Sequence, residues 1–166
     1  GALAAHLFGN VGEVTKEQLA LPRYQGLELG DLVGQSGIEY EYDRFLRGRP
    51  GATRIQVNSR GIPRGQLASV PAHAGDNVRL TLDSDLQEIG EAALGSFGLP
   101  GAFVALDPNT GEVLAMASTP SFDPNVVEEN FGRISSITAD CRSPSPLVNR
   151  ATAGLFVPGS TFKVIT

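Results

Sequence analysis

The chain has 166 residues, of which 41% are hydrophobic and 19% charged, so it can bury a core of ordinary size. Its 20 glycines and 11 prolines favour short strands, turns and brief helices over a helical bundle, and they exclude a coiled coil. The apolar runs are only a few residues long, far below the roughly 18 that a membrane-spanning helix needs. Because Met116 is the only methionine, we expect the sequence to be part of a longer chain.

Charge is unevenly distributed along the chain. The stretch from Arg44 to Gly75 contains six arginines and no acid, which leaves −11 for the other residues of a chain whose net charge is −5. We call these six side chains the arginine patch: Arg44, Arg47, Arg49, Arg54, Arg60 and Arg64. Such a patch is typical of surfaces that bind nucleic acid, anionic lipid or acidic polymers, and also of arginines that solvate a small sheet and pair with carboxylates. No aromatic residue follows Arg47 in this stretch to stack on bases, so we predict no nucleic-acid site.

The cysteine and histidine content argues against a structural metal site. Cys141 is the single cysteine, so it cannot form a disulfide within the chain. With only His6 and His73 to help it, a four-ligand zinc site is excluded.

The first 75 residues predict a small module of short elements. Thr15 and Gln18 have the spacing of a capping box, which predicts a short helix. Residues 30–34 are expected to form a turn-rich hinge. A further helix, with Gly48 as its C-terminal stop, is predicted from four apolar residues at helical spacing: Ile38, Tyr42, Phe45 and Leu46.

Two strands and a linker complete this module. Residues 53–58 alternate between apolar and polar side chains, and Arg60 and Gly61 turn the chain into a second strand. The arginine patch is therefore expected to lie largely on sheet. Residues 71–76 have the composition of a linker, and we expect His73 within it to be a surface residue.

The second region predicts a helix and a hairpin. Residues 77–82 alternate and predict a strand, after which Asp83 begins a run of helix-capping side chains. The helix should end at Gly95 or Gly98, and its expected buried face consists of Leu86, Ile89, Ala93 and Phe97.

Two apolar runs follow that helix. Residues 101–106 and 112–117 are joined by a Pro/Asn/Gly turn, which predicts a buried antiparallel hairpin, central in its sheet. Residues 118–146 are rich in proline, serine and asparagine and predict loops.

The last stretch carries the clearest chemical signal. Pro158 and Gly159 interrupt the chain, and Ser160 then stands where a helix is predicted to start. Lys163 follows one turn later, so the two side chains are expected on one face. A serine hydroxyl needs a base to take its proton, and a lysine can be that base only when it is unprotonated, which burial favours.

Three features bear on this interpretation. Apolar Phe156, Phe162 and Ile165 are expected to bury the pair, and a helix N-terminus would stabilise an oxyanion formed when Ser160 attacks a carbonyl. Lysine is scarce, since only Lys16 and Lys163 occur beside eleven arginines, and arginine cannot serve as the base. On spacing alone, the pattern is equally that of a capped helix with an exposed lysine.

Residues 158–163, PGSTFK, resemble the active-site serine motif of class B penicillin-binding proteins. Residues 77–87, 104–124 and 149–151 are similar to the segments that precede that serine in the family. In the first region, GQSGIE at residues 34–39, together with residues 42–43 and 46–48, resembles the family's pedestal, most closely that of the cell-elongation type. Residues 126–147 match nothing in this comparison.

The resemblance implies an α+β fold with two parts. Residues 1–75 would form a small mixed pedestal module of the dimerisation type, and residues 76–166 the front portion of a transpeptidase domain, in which an antiparallel sheet packs with helices. Ser160 would be the acylated nucleophile and Lys163 the residue that activates it. The family also needs a Ser-x-Asn and a Lys-Thr/Ser-Gly motif after the serine. Neither occurs in this sequence, so we expect the 166-residue chain alone to be inactive.

The resemblance also implies a setting for the complete protein. It would be a peptidoglycan D,D-transpeptidase that is acylated by stem peptides and by β-lactams. It would work on the periplasmic side of the cell membrane, held by an N-terminal anchor, beside a membrane glycosyltransferase of the elongation machinery. No metal or organic cofactor is implied.

Two other classes of function stay open. The chain could be a non-catalytic pedestal that docks partners, for which the Ser160 motif is incidental. It could also be a serine β-lactamase or a β-lactam sensor, since these share the S-x-x-K motif. The pedestal-like first region argues against the latter pair.

Overall fold

A computed structural model of the chain describes residues 2–135 and 145–165. Short helices alternate along these residues with three separate antiparallel sheets of two strands each, which confirms the α+β class. None of the helices in the two ranges is long and apolar enough to cross a membrane. Cys141 and the predicted loop residues Ser143 and Pro144 lie outside the described residues.

The N-terminal module is built around a small sheet. Strand β1 (Val11–Glu13) pairs antiparallel with β2 (Leu32–Gly34). The prediction of a hinge at residues 30–34 is therefore wrong for residues 32–34, which form β2. Val33 is drawn into a core that it shares with Val14 and Tyr24, and this burial fixes the segment as a strand.

Short helices surround this sheet: α1 (Ala5–Phe8), α2 (Lys16–Leu19), a 3-10 helix (Pro22–Tyr24), α3 (Gly37–Glu41) and α4 (Asp43–Leu46). The predicted capping box is confirmed at α2. Thr15 Oγ1 accepts a hydrogen bond from the Gln18 N–H at 3.2 Å, and Gln18 Oε1 accepts one from the Thr15 N–H at 2.9 Å. Two otherwise unpaired donors at the helix start are thereby satisfied.

The next predicted helix is broken at Tyr42 into α3 and α4, so the expectation of one continuous helix is wrong. Asp43 gives the physical reason. Its buried carboxylate accepts from the Gly34 N–H at 2.9 Å and lies 3.2 Å from the guanidinium of Arg47. Tyr42 departs from helical geometry (φ −103°, ψ 10°) where the chain brings Asp43 against β2. The predicted stop is confirmed, since Gly48 has a φ of +70°.

An exposed hairpin carries half of the arginine patch. As predicted, β3 (Ala52–Val57) pairs antiparallel with β4 (Pro63–Val70), but every residue of both strands is exposed. Arg54 and Arg64 lie on the strands and Arg60 in the turn between them, so only part of the patch lies on sheet. Two-stranded ribbons without a buried face are marginally stable in water.

The predicted linker forms a backbone pairing. His73, inside it, is exposed, as expected. Its N–H donates to the Arg49 carbonyl at 3.0 Å, and the Arg49 N–H donates back at 2.9 Å. This pair closes the base of the hairpin.

The second region begins with the predicted helix and the predicted antiparallel hairpin. The expected burial of the first apolar run is wrong, because Val104 and Leu106 are 43% and 56% exposed. Helix α5 (Ser84–Ser96) is capped by the Asp83 carboxylate, which accepts from the N–H groups of Asp85 and Leu86. Strand β5 (Gly101–Leu106) pairs antiparallel with β6 (Val113–Thr119). In the part of the chain that the structure describes, no third strand joins this sheet, so a central position for the hairpin is not seen.

Helix α5 buries a different face from the predicted one. Ile89 and Phe97 are 64% and 74% exposed, whereas Gln87 and Gly90 are buried. Gly90 lets the helix approach β5 so closely that a Cβ there would lie 2.5 Å from the Phe103 ring. Hydrophobic periodicity cannot identify an interface that is made by a glycine and a glutamine.

The strand predicted at residues 77–82 is not formed. Instead, Thr81 Oγ1 donates to the Val113 carbonyl at 2.7 Å, and just after the segment the Asp83 N–H donates to the Leu114 carbonyl at 2.9 Å. These isolated hydrogen bonds hold the segment beside β6 without a regular ladder. The prediction is wrong because alternation alone does not supply a partner strand.

A further helix lies where loops were predicted. Helix α6 (Val127–Ser135) buries Val127 with Ala5 and Phe122, in a core that joins α1 to the second region. The remaining elements are α7 (Arg150–Ala153) and a 3-10 helix (Gly159–Val164), which we call the Ser160 helix.

The close approach of α5 to β5 yields a stability prediction. Gly90→Ala is expected to lower the free energy of unfolding by about 1–3 kcal/mol, because the new methyl group overpacks against the Phe103 ring. Gly95→Ala, on the same helix, is the matched control: nothing lies within 4 Å of a Cβ there. Without a clash, alanine should stabilise the helix by about 1 kcal/mol. Urea unfolding measures the change in the free energy of unfolding for both variants. Equal changes for the two variants would contradict a close contact between Gly90 and the Phe103 ring.

Candidate active site

Ser160 and Lys163 both lie on the Ser160 helix. This helix begins at Gly159, one residue before the predicted start, and Gly159 has a φ of +55° that favours glycine. In a 3-10 helix, side chains three residues apart stand above one another. Ser160 and Lys163 therefore project from the same side of the helix, and both side chains are exposed.

The apolar side chains around this helix are exposed in the described structure. Phe156 is 60% exposed, Phe162 49% and Ile165 78%. The expectation that they bury the serine and lysine is therefore wrong for these residues. Leu155 and Val157, which precede the helix, are each 93% exposed.

The segment that leads to Ser160 is anchored on β6 through α7. The hydroxyl of Ser118 accepts from the Arg150 N–H at 3.0 Å and donates to the Val148 carbonyl at 3.2 Å. The buried Arg150 guanidinium donates to the Ser145 carbonyl at 2.9 Å. Asn149 caps α7 by accepting from the Ala151 N–H. These bonds fix the start of α7 against the end of β6.

The same strand is held at Met116 by a glutamine side chain from α5. Gln87, which is 1% exposed, accepts from the Met116 N–H at 2.7 Å and donates to the Met116 carbonyl at 2.9 Å. Its amide also donates to Glu91 Oε1 at 2.8 Å. The same oxygen accepts from the Ala4 N–H at 2.7 Å, which brings the N-terminal module into this network.

His6 makes a second contact between the module and the segment before α7. Its Nε2 lies 2.7 Å from the Pro146 carbonyl, and its ring meets the Phe122 ring edge-on, with 5.1 Å between centroids. Burial lowers the pKa of His6 below its usual value of 6.5. The folded protein therefore favours the neutral ring.

Sequence reasoning missed the polar residues that support the site. Gln87 and Ser118 carry no pattern that distinguishes them from surface polar residues, because their roles depend on strands and loops about 30 residues away. For Arg150, the sequence offers a single signal: it belongs to residues 149–151, a segment that resembles the family. In the described part of the chain, no group of three or more histidine, cysteine, aspartate or glutamate side chains could hold a metal ion.

Two family models match the chain. A penicillin-binding protein dimerisation domain matches residues 1–80, and a penicillin-binding protein transpeptidase domain matches residues 101–166. The chain belongs to the penicillin-binding proteins. The predicted resemblance is thereby confirmed, and Ser160 and Lys163 lie within the residues that the transpeptidase model matches.

Curated relatives of this penicillin-binding protein chain carry the name peptidoglycan D,D-transpeptidase. The present chain is 37% identical over 169 residues to MrdA of Escherichia coli K12 and 33% identical over 163 residues to MrdA of Acinetobacter baumannii. It is 31% identical over 157 residues to FtsI of Escherichia coli K12. The alignments cover 98%, 98% and 92% of this chain and 26%, 24% and 24% of the relatives. The chain thus spans about a quarter of their length.

Solved structures of the family share this fold. The penicillin-binding protein PBP2 of Helicobacter pylori, in its complex with MreC, superposes with a TM-score of 0.73 at 28% identity. PBP2 of the same organism in a second structure gives 0.70 at 27%. Each comparison covers 98% of this chain and 30% of the solved one.

The buried His6 ring yields a pH prediction. The unfolded chain binds a proton at this histidine more readily than the folded chain. The stability that the neutral His6 ring contributes is therefore fully present above about pH 6.5. It is lost as the pH falls through the lower folded pKa. His6→Gln cannot titrate, so its thermal midpoint should fall less than that of the unmodified protein between about pH 7 and pH 5. Parallel curves for the two proteins would contradict this.

Proposed function

We propose that this chain is the pedestal and the first part of the transpeptidase domain of a peptidoglycan D,D-transpeptidase of the cell-elongation type. The observation that carries the proposal is Ser160 and Lys163 on one side of a single helix turn, inside the residues that the transpeptidase model matches. The higher identity to MrdA than to FtsI supports the elongation role. We assign residues 1–75 to the pedestal and residues 76–166 to the transpeptidase domain.

The chemistry is acyl transfer through a serine ester. In the complete protein Lys163 Nζ takes the proton of Ser160 Oγ, and Oγ bonds to the carbonyl carbon of a D-Ala-D-Ala stem peptide. The C–N bond to the terminal D-alanine breaks, and that amine leaves with a proton. The amine of a second stem peptide then attacks the ester and releases Ser160. β-Lactams acylate the same oxygen by opening their ring amide.

The setting follows from the family. We propose that the complete protein works at the periplasmic face of the cell membrane, with an N-terminal anchor and a membrane glycosyltransferase as partner. A relative from Helicobacter pylori has been solved in complex with MreC, which supports the proposal that the complete protein works with partner proteins. No metal or organic cofactor takes part in the proposed reaction.

The alternatives are less well supported. A pedestal without a catalytic role does not account for the match of residues 101–166 to a transpeptidase domain. A single-domain β-lactamase or β-lactam sensor does not account for the match of residues 1–80 to a dimerisation domain.

The nucleophile and its base can be tested in the full-length protein with a fluorescent penicillin. Ser160→Ala should abolish covalent labelling, because no oxygen remains to be acylated. Lys163→Arg should slow labelling by about 100-fold or more, since a guanidinium keeps the charge but cannot accept the serine proton. Matched controls are Ser96→Ala and Lys16→Arg, which make the same changes elsewhere on the surface and should label normally.

The 166-residue chain on its own provides a further check. Because both later motifs are absent from its sequence, it should not label at a useful rate. Stoichiometric labelling of a sample whose intact mass corresponds to residues 1–166 would refute this expectation. Normal labelling of the full-length Lys163→Arg protein would refute the role of Lys163.

The arginine patch is predicted to be a protein surface that does not bind nucleic acid. Charge attraction alone would give binding that weakens steeply with added salt. In an electrophoretic shift assay at about 0.15 M salt, we expect no specific complex with DNA or RNA. A salt-sensitive complex that disappears when Arg47, Arg54 and Arg60 are changed to alanine would show this prediction to be wrong.

A further inference from the structure

The outer edge of β6, away from β5, is completed by a side chain. At Met116 the Gln87 amide gives and receives one hydrogen bond, at 2.9 and 2.7 Å, as the backbone of a neighbouring strand would. The amide is almost fully buried, so water cannot replace either bond. Loss of the amide would leave the Met116 N–H and carbonyl, which are partly buried, without these partners.

The orientation of this amide is unique. Its nitrogen donates to two acceptors, the Met116 carbonyl and Glu91 Oε1, and its oxygen accepts from the Met116 N–H. A flipped amide would set its NH₂ against the Met116 N–H and its oxygen against the carboxylate. Glu91 is held in turn by the Ala4 N–H. The arrangement therefore fixes the orientation of the Gln87 amide and ties α5 to β6 at Met116.

The same strand positions the segment that carries the serine. Ser118 lies two residues after Met116, so both side chains leave the strand on one face. The Ser118 hydroxyl holds the Arg150 N–H and the Val148 carbonyl at the start of α7. Only residues 154–158 separate α7 from the Ser160 helix, so α7 is the last anchored element before Ser160.

We propose that Gln87 is a positioning residue for acylation of Ser160, acting through Met116, Ser118 and α7. This inference rests on the proposed function. Displacements of about 1 Å in a reacting group can cost up to about 100-fold in rate. Gln87 should therefore affect the acylation step itself more than the initial, non-covalent binding of substrate.

The test is Gln87→Met in the full-length protein, which keeps the length of the side chain and removes its hydrogen bonds. Benzylpenicillin acylation is followed at increasing concentration, so that the limiting acylation rate constant and the non-covalent dissociation constant are obtained separately. We expect the rate constant to fall by about 10- to 100-fold with little change in the dissociation constant. A loss confined to the dissociation constant, or unchanged kinetics, would overturn the proposal.

Two controls separate positioning from general loss of stability. Glu88→Met makes a similar change at an exposed neighbour on α5 and should leave both constants unchanged. Val33→Ala opens a cavity in the separate core of the N-terminal module, and should lower the thermal midpoint without lowering the acylation rate constant. If Val33→Ala slows acylation as much as Gln87→Met does, the role of Gln87 is structural only and the proposal fails.

A second variant keeps the proposal testable if Gln87→Met does not fold. Ser118→Ala removes the next link of the same path and should reduce the acylation rate constant with the same selectivity. Where both single variants fold, their combination should lose less than the product of the two separate effects, since they interrupt one path. If the two substitutions reduce the acylation rate constant independently, so that their effects multiply, the path from Gln87 through Ser118 is refuted. Normal acylation of Ser118→Ala would refute it as well. Labelling of Ser160→Ala would instead refute the proposed function and leave the packing of Gln87 unaffected.

Discussion

The pairing of one buried glutamine amide with the backbone of β6 is the interaction on which this part of the protein depends. A buried strand edge with unpaired groups costs about 1–3 kcal/mol for each group. Here the edge at Met116 is completed by Gln87, so a helix can take the place that another strand would occupy. Gly90, one turn further along α5, removes the Cβ that would otherwise meet the Phe103 ring. The helix can therefore lie close enough for the amide to reach.

The two family domains are joined in space by the first residues of the chain. The Ala4 N–H binds Glu91 on α5, Ala5 packs with Phe122 and Val127, and His6 contacts the Pro146 carbonyl. Helix α1 lies within the residues of the dimerisation match, and it contacts both α3 of its own module and β6 of the second region. Because these contacts converge on the elements that lead to Ser160, the module also supports the proposed active site.

The chain before the Ser160 helix is anchored at α7, whereas apolar side chains next to the helix itself are exposed. The anchor is the Arg150 and Ser118 network on β6, whereas Leu155, Val157 and Ile165 are largely exposed. A helix of six residues has little stability of its own and depends on packing. The chain spans about a quarter of the length of its curated relatives. In the described structure, the placement of Ser160 relative to Lys163 follows from 3-10 helical spacing.

Sequence by itself determined the features that depend on near neighbours. The capping box at Thr15, the Asp83 cap of α5, the two hairpins and the one-turn spacing of Ser160 and Lys163 all follow from residues a few positions apart. Tertiary structure decided the rest: the buried face of α5, the strand at Val33, the helix break before Asp43, the presence of α6 and the exposure of the Ser160 helix. Each of these depends on a partner distant in the chain. Gln87 and Met116 are 29 residues apart, and no periodic pattern marks a glutamine as the partner of a strand that folds beside it. Local hydrogen bonding can be predicted from neighbouring residues, whereas burial depends on which surfaces meet once the chain has folded.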